Sequence, residues 1–307
     1  MSTTTPTGPT TGPATGPTTG QSTEPATGPS TASSGRPASA PAATTTARRG
    51  SADRPRRSWV RLWVPNQHGA WAMLLLPLVV GVVRAGLVPV HVLLLVAWLV
   101  AYLAYFAATV WLRSRRKPRY RTPVVAYATA TAVTGGALLV VEPTLVRWGV
   151  VYAPLLAASL LFSVRRAERA LVNDLLTVVA TSLMAVIAFG LARPDDGAWL
   201  PGAGWAAGWA LASATFAYLA GTALYVKTMI RERGNHAMYA ASVVYHVLAA
   251  AVFAWWLPWV GAFLAVAAVR AALVPRSWPR ARPGAIGVGE IVASVALGFV
   301  LLALPLV

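Results

Sequence analysis

In a chain this apolar, the few polar side chains inside or capping the hydrophobic runs are where chemistry would be done. Four groups stand out. The first is Asn66-Gln67-His68, which precedes the run that starts at Gly69. A helix beginning there offers free backbone N–H groups and the positive end of its dipole, an arrangement suited to an anion. The second is Asn173-Asp174, at the head of another run, with Asp174, Thr177 and Thr181 spaced to share a helix face. Asp174 there could pair with an Arg of the basic segment before it or hold a cation. The third is the densest. Tyr218, Thr222, Tyr225, Met229 and Glu232 fall on one side of a continued helix, Lys227 and Arg231 on another, and Asn235 and His236 follow a helix-stopping Gly234. The fourth is Ser242, Tyr245 and His246, with His246 about two turns inside its run. Ligand-binding candidates are therefore Asn66, His68, Asn173, Asp174, Tyr225, Lys227, Arg231, Glu232, Asn235, Tyr245 and His246. Each has a structural alternative: a cap, an interfacial charge or an interhelical hydrogen bond. Glu290, early in the last run, is a further buried carboxylate that a cation such as Arg231 would match.

These groups need positioning, and the composition says by what. Of 307 residues, 56% are hydrophobic and 11% charged, and the mean hydropathy is +0.58. Runs of about 20 apolar residues cross the hydrocarbon core as helices, and no β-barrel alternation is present. The reading is an all-α, polytopic transmembrane helical bundle of about nine spans. They are 69–83, 88–112, 123–141, 149–164, 171–192, 205–226, 239–256, 260–274 and 286–306. The basic residues test that count. Arg84, Arg147 and Arg193 are the only ones of the 26 Lys and Arg in alternate gaps. All the others fall before the first span or in the gaps between, with Arg270, near the end of the 260–274 run, counted with the gap that follows it. The positive-inside rule then predicts a cytoplasmic N-terminus and puts all four polar groups at the cytoplasmic side.

The net charge of +17 is thereby read as topogenic charge facing a bilayer with an anionic inner leaflet, not as a nucleic-acid surface. With no cysteine and four histidines there is no disulfide, no thiolate chemistry and no expected metal site or resident cofactor. Residues 1–58 form a Thr/Pro/Gly/Ser-rich tail with repeated Thr-Gly-Pro (Thr7-Gly8-Pro9, Thr11-Gly12-Pro13). It is predicted to be disordered and cytoplasmic, with no signal peptide. Residues 59–307 form the transmembrane helical domain.

At Pro65-Asn66-Gln67-His68-Gly69-Ala70-Trp71-Ala72, at Tyr225–Asn235 and at the Ser163–Arg169 run before Asn173-Asp174, the chain resembles the YwiC-like family of bacterial integral membrane proteins. The resemblance implies a multi-pass protein of the bacterial plasma membrane and brings no reaction. More remotely, the nine-helix layout is similar to the UbiA-type intramembrane prenyltransferases. Their two Asp-rich, magnesium-holding motifs are absent: Tyr105–Leu112 has no Asp or Asn, and Lys227, Arg231, Glu232 and Asn235 stand where the second would fall. Three functions remain open. One is a cytoplasm-facing site for an amphipathic anionic molecule, such as an isoprenoid or lipid phosphate, with Lys227, Arg231 and His68 balancing its charge. The others are a transporter and a non-catalytic membrane component.

Overall fold

A computed structural model of the protein describes residues 63–65, 68–193, 205–303 and 305, with only the backbone of His68. The tail read from the sequence lies outside these residues. Nine α-helices follow one another among the described residues: α1 (His68–Ala85), α2 (Val90–Arg113), α3 (Arg121–Val141), α4 (Gly149–Val164), α5 (Leu171–Gly190), α6 (Ala206–Ile230), α7 (His236–Trp256), α8 (Pro258–Ser277) and α9 (Pro283–Ala303). Short 3-10 turns precede α3 and α4. Eight of the nine helices are long and apolar enough to span a membrane, and α1 is a shorter apolar helix. The large apolar side chains left exposed on the outside, among them Val140, Val252, Val266 and Phe299, make a belt suited to lipid rather than water. The chain is an integral membrane helical bundle.

Helix α6 is the hub. Of its apolar window 72% is buried, against 6% for the peripheral α3. It packs against α1, α5, α7, α8 and α9, while α7 and α8 form a close hairpin. Small residues permit this. A Cβ on Gly81 of α1 would lie 2.5 Å from the Ala185 carbonyl oxygen of α5, and one on Gly261 of α8 would lie 2.3 Å from the Ala254 nitrogen of α7.

Contacts between helix ends sort the connections onto two faces. On the Arg-rich face, Tyr127 at the start of α3 donates to the Trp63 carbonyl ahead of α1 (3.1 Å). Arg113 at the end of α2 pairs with Glu168 between α4 and α5 (3.2 Å). Lys227 near the end of α6 pairs with Asp174 at the start of α5. Arg233 after α6 donates to the Ala281 carbonyl before α9 (3.2 Å). On the opposite face, Arg84 reaches the Leu302 carbonyl at the end of α9 (3.3 Å), and His91 bonds the Ala188 carbonyl at the end of α5 (2.7 Å). The segregation of charge in the sequence is thus a segregation in space.

Two Arg-rich connections share one device. Helices α2 and α4 close with Schellman geometry: Arg116 N–H bonds the Trp111 carbonyl and Ala167 N–H that of Phe162. The left-handed position that usually takes Gly is held by Arg115 (φ 59°) and Arg166 (φ 57°). An Arg there places its cation beside a helix C-terminus, where the dipole favours it. The α6–α7 connection uses the ordinary solution, Gly234 at φ 85°. Asn235 then caps α7, its Oδ1 accepting from Ala237 N–H (3.0 Å) and Met238 N–H (3.2 Å).

Candidate functional site

The turn after α4 delivers Glu168 and the first residues of α5 to the Arg-rich ends of α2 and α6. There a belt of hydrogen bonds crosses four helices. Tyr105 Oη of α2 meets Ser159 Oγ of α4 (2.7 Å). Ser159 donates to Asn173 Oδ1 (2.7 Å), and Asn173 Nδ2 donates to the Glu168 carbonyl (2.9 Å). One residue on, Asp174 Oδ2 accepts from Lys227 Nζ at 2.9 Å, and that ammonium also donates to the Arg169 carbonyl. Lys227 is buried while Asp174 is half-buried, so the lysine depends on the pair more than its partner does. Asp174 pairs with this lysine of α6, not with an arginine of the loop before it. Thr177 and Thr181, on the Asp174 face, bond back to the Asn173 and Val178 carbonyls. At the rim, burial works to raise the Glu168 carboxyl. Its own backbone N–H and the Arg113 guanidinium outweigh that, and the group sits below its ordinary value of 4.5.

Deeper in, the stripe along α6 finds its partners. Tyr218 and Thr222 hydroxyls donate to Glu290 Oε2 of α9 at 3.2 and 2.9 Å. Glu290 Oε1 lies 2.8 Å from Arg270 Nη2 of α8. The Arg270 guanidinium also sits 4.5 Å from the Tyr225 ring centre, and Met229 completes an apolar plug with Tyr225, Ala271 and Ile286. Glu290 lies seven residues into α9 and Arg270 seven from the end of α8, so both sit about 10 Å in along their axes. The partner of Glu290 is therefore Arg270, not Arg231. Arg270 belongs to a transmembrane helix, although its position in the sequence groups it with the loop arginines that follow.

Helix α7 adds His246, buried, whose Nδ1 lies 2.7 Å from the Ser242 carbonyl. A carbonyl only accepts, so Nδ1 carries the proton and Nε2 of the neutral ring is a free acceptor. It faces Gly221, where a Cβ would lie 2.8 Å from Nε2. Tyr245 donates to the Ala217 carbonyl (3.1 Å).

The structure thus brings together Asp174 with Lys227, Glu232 with Asn235 (3.0 Å), and Tyr225 with the Glu290–Arg270 pair. It leaves Arg231 exposed at the end of α6. His68 is the first residue of α1, and Asn66 lies outside the described residues. Sequence reasoning missed Tyr105, Ser159, Arg113 and Arg270. For the last, a signal existed: one lone cation and one lone carboxylate, each embedded in an apolar run. Among the described residues no three His, Asp or Glu stand close enough to hold a metal ion.

A cavity of about 420 Å³ opens on the Arg-rich face where α6 and α8 end and α7 begins. Arg233, Asn235, His236, Tyr239 and Arg276 line it, with Met229 at the plug. Its size falls within the usual range of small-molecule sites. A smaller cavity of about 210 Å³ on the opposite face is lined by Glu142, Arg147, Trp148 and Trp205.

Nine consecutive helices among the described residues, eight of them long and apolar enough to cross a membrane, with ion pairs inside and along one face, define a multi-pass α-helical membrane protein. The sequence profile of the family described as YwiC-like protein matches residues 64–189, from Val64 through nearly all of α5. A Bacillus subtilis (strain 168) relative, "Uncharacterized protein YwiC", is 33% identical over 243 residues, covering 75% of this chain and 92% of its own length. A Haemophilus influenzae relative, described as "Uncharacterized protein", is 28% identical over 200 residues, covering 63% of this chain and 78% of its own. The chain belongs to the YwiC-like family. No solved structure matches it.

Proposed function

We propose that the protein lies in the bacterial plasma membrane with its Arg-rich face toward the cytoplasm, and that it binds an amphipathic anionic molecule there, an isoprenoid or lipid phosphate. The cavity at the ends of α6, α7 and α8 carries this reading. It pairs a rim of two arginines, Arg233 and Arg276, beside His236 with apolar lining from Met229 and Pro275, the two halves of an amphipathic anion. Two arginines suit a phosphate because their planar forks donate in pairs. Asn235 belongs to the same rim, and Arg231 is exposed at the neighbouring end of α6. Lys227 and Asp174 act behind it, fixing the end of α6 against α5, with Asn173, Tyr225, Glu232, Tyr245 and His246 supporting the same helices.

Mass spectrometry of lipids that accompany the detergent-extracted protein tests this. Wild type should retain a phosphate-bearing lipid, and R276Q should lower its amount about tenfold, the worth of one charge-assisted hydrogen bond. Retention unchanged in R276Q and in R233Q/R276Q, with thermal melting preserved, refutes the reading. A transporter is the second reading, favoured by the ion pair within the bundle; substrate flux in proteoliposomes would support it.

A further inference from the structure

The Glu290–Arg270 pair stands apart from the anion cavity, and its surroundings are unusual for a purely structural ion pair. In the apolar interior of a bundle, two charges are costly and are stabilising only when geometry and hydrogen bonding are complete. Here they are not. Glu290 Oε1 and Arg270 Nη2 are 2.8 Å apart, yet they are not aligned as a hydrogen bond. Arg270 Nε and Ser242 Oγ also lack one, all four atoms being buried. Ser242 lies level with Arg270. The α7–α8 hairpin runs antiparallel, with Tyr239 bonded to the Ala272 carbonyl (2.9 Å) and Ala254 against Gly261, and that register sets Ser242 beside Arg270. Three helices thus direct unsatisfied polar atoms toward one level of the bundle, where a water molecule would bridge them.

The other Glu290 oxygen is held only by hydroxyls. Tyr218 and Thr222 donate to a carboxylate, and either can turn to accept the O–H of a neutral acid. Backbone N–H groups or ammoniums, which cannot accept the acid's O–H, would favour the ionised form. Arg270 likewise has a second support. Its guanidinium lies on the Tyr225 ring, a contact that persists when Glu290 carries no charge. Each component of the pair is therefore held in both charge states.

We propose that Glu290 is a proton-binding site within the bundle. A proton reaching the site past Arg270, whose side chain is 23% exposed, forms an O–H bond at Glu290. The resulting acid donates to a neighbouring hydroxyl, and Arg270 keeps its charge over Tyr225. The groups that surround the site are Tyr218 and Tyr225 of α6, His246 of α7 and Arg270 of α8. On α1, which also packs on α9, the ionisable residues are His68, whose side chain is outside the described set, and Arg84 at the far end beside Leu302.

Infrared difference spectra of the reconstituted protein during an acid titration read this directly. A carboxylic-acid carbonyl band should appear in wild type, vanish in E290Q and remain in D174N and E168Q. Should E290Q fail to fold, two other variants decide. R270Q should move the band's midpoint upward by about 1–3 pH units, the influence of one adjacent opposite charge. T222V should shift the band's frequency, because one hydrogen bond to the acid is gone. The proposal is overturned if wild type shows no such band while its helices stay intact, or if the band ignores E290Q, R270Q and T222V alike.

Discussion

At Lys227 the cost of burying a charge is met by two acceptors, Asp174 Oδ2 and the Arg169 carbonyl. Removing the carboxylate leaves the ammonium with one neutral acceptor, and an uncompensated buried charge costs about 3–5 kcal/mol. Asp174 is half-buried, so solvent screening reduces that. We expect D174N to destabilise the purified protein by about 1–3 kcal/mol. K227M, which removes the charge and keeps the stem's packing, should be milder, and D174N/K227M no worse than K227M. Thermal melts of the four proteins form the cycle, and strictly additive losses would show that the pair is not coupled. The sequence carried both residues as candidates, because a lone Asp at a helix start and a lone Lys near a helix end are visible in an apolar chain. That they meet was not legible, since it depends on how α5 lies against α6. Arg270 was misplaced for a related reason. Counting charges by gap assigns an arginine near the end of a run to the loop, and only the neighbouring helix shows that it turns inward to Glu290.

Between elements, close approach decides the packing. The spans read from apolar runs agree with the nine helices to within a few residues. The largest departure useful for function is α6, which continues past Val226 to Ile230 and so keeps Lys227 on the helix. Which glycines matter was not legible, because small residues occur throughout the chain and only the partner helix distinguishes them. Gly81 has the Ala185 carbonyl oxygen 2.5 Å from where its Cβ would be, a backbone atom that cannot swing aside, whereas Gly135 in α3 has nothing within 4 Å. G81A should therefore cost about 1–3 kcal/mol through overpacking of α1 on α5. G135A should be neutral or stabilising by up to about 1 kcal/mol, the helix-propensity gain at an open site. Thermal melting in one detergent compares them, and equal responses would mean that α1 does not lie this close to α5.

For the molecule as a whole, the number of crossings and the charge pattern make one joint statement. An odd count puts the two chain ends on opposite faces, and the contacts among connections do the same without reference to charge. Trp63 meets the start of α3 on the Arg-rich face, whereas Leu302 meets Arg84 on the other. The first and eighth runs are the short ones in the sequence, and α1 also has Pro77 inside it. In the bundle it is held by α5, α6 and α9, and the buried Leu74, Leu78 and Val80 face inward, so it counts as a crossing through packing more than through length. The proposed orientation keeps the Arg-rich connections on the cytoplasmic side, since moving such charge across the membrane is resisted. A reporter joined after Val307 should therefore be active when it requires export and silent when it requires the cytosol, and one placed between Arg115 and Arg119 should behave in the reverse way. A cytosolic signal at the C-terminus would mean an even number of crossings and would remove α1 as a full crossing, since losing the α7–α8 hairpin takes away two and leaves the parity unchanged. The anion cavity and the Glu290–Arg270 pair both lie toward the end of α8 that carries Arg276, so the topology experiment bears on both proposed sites at once.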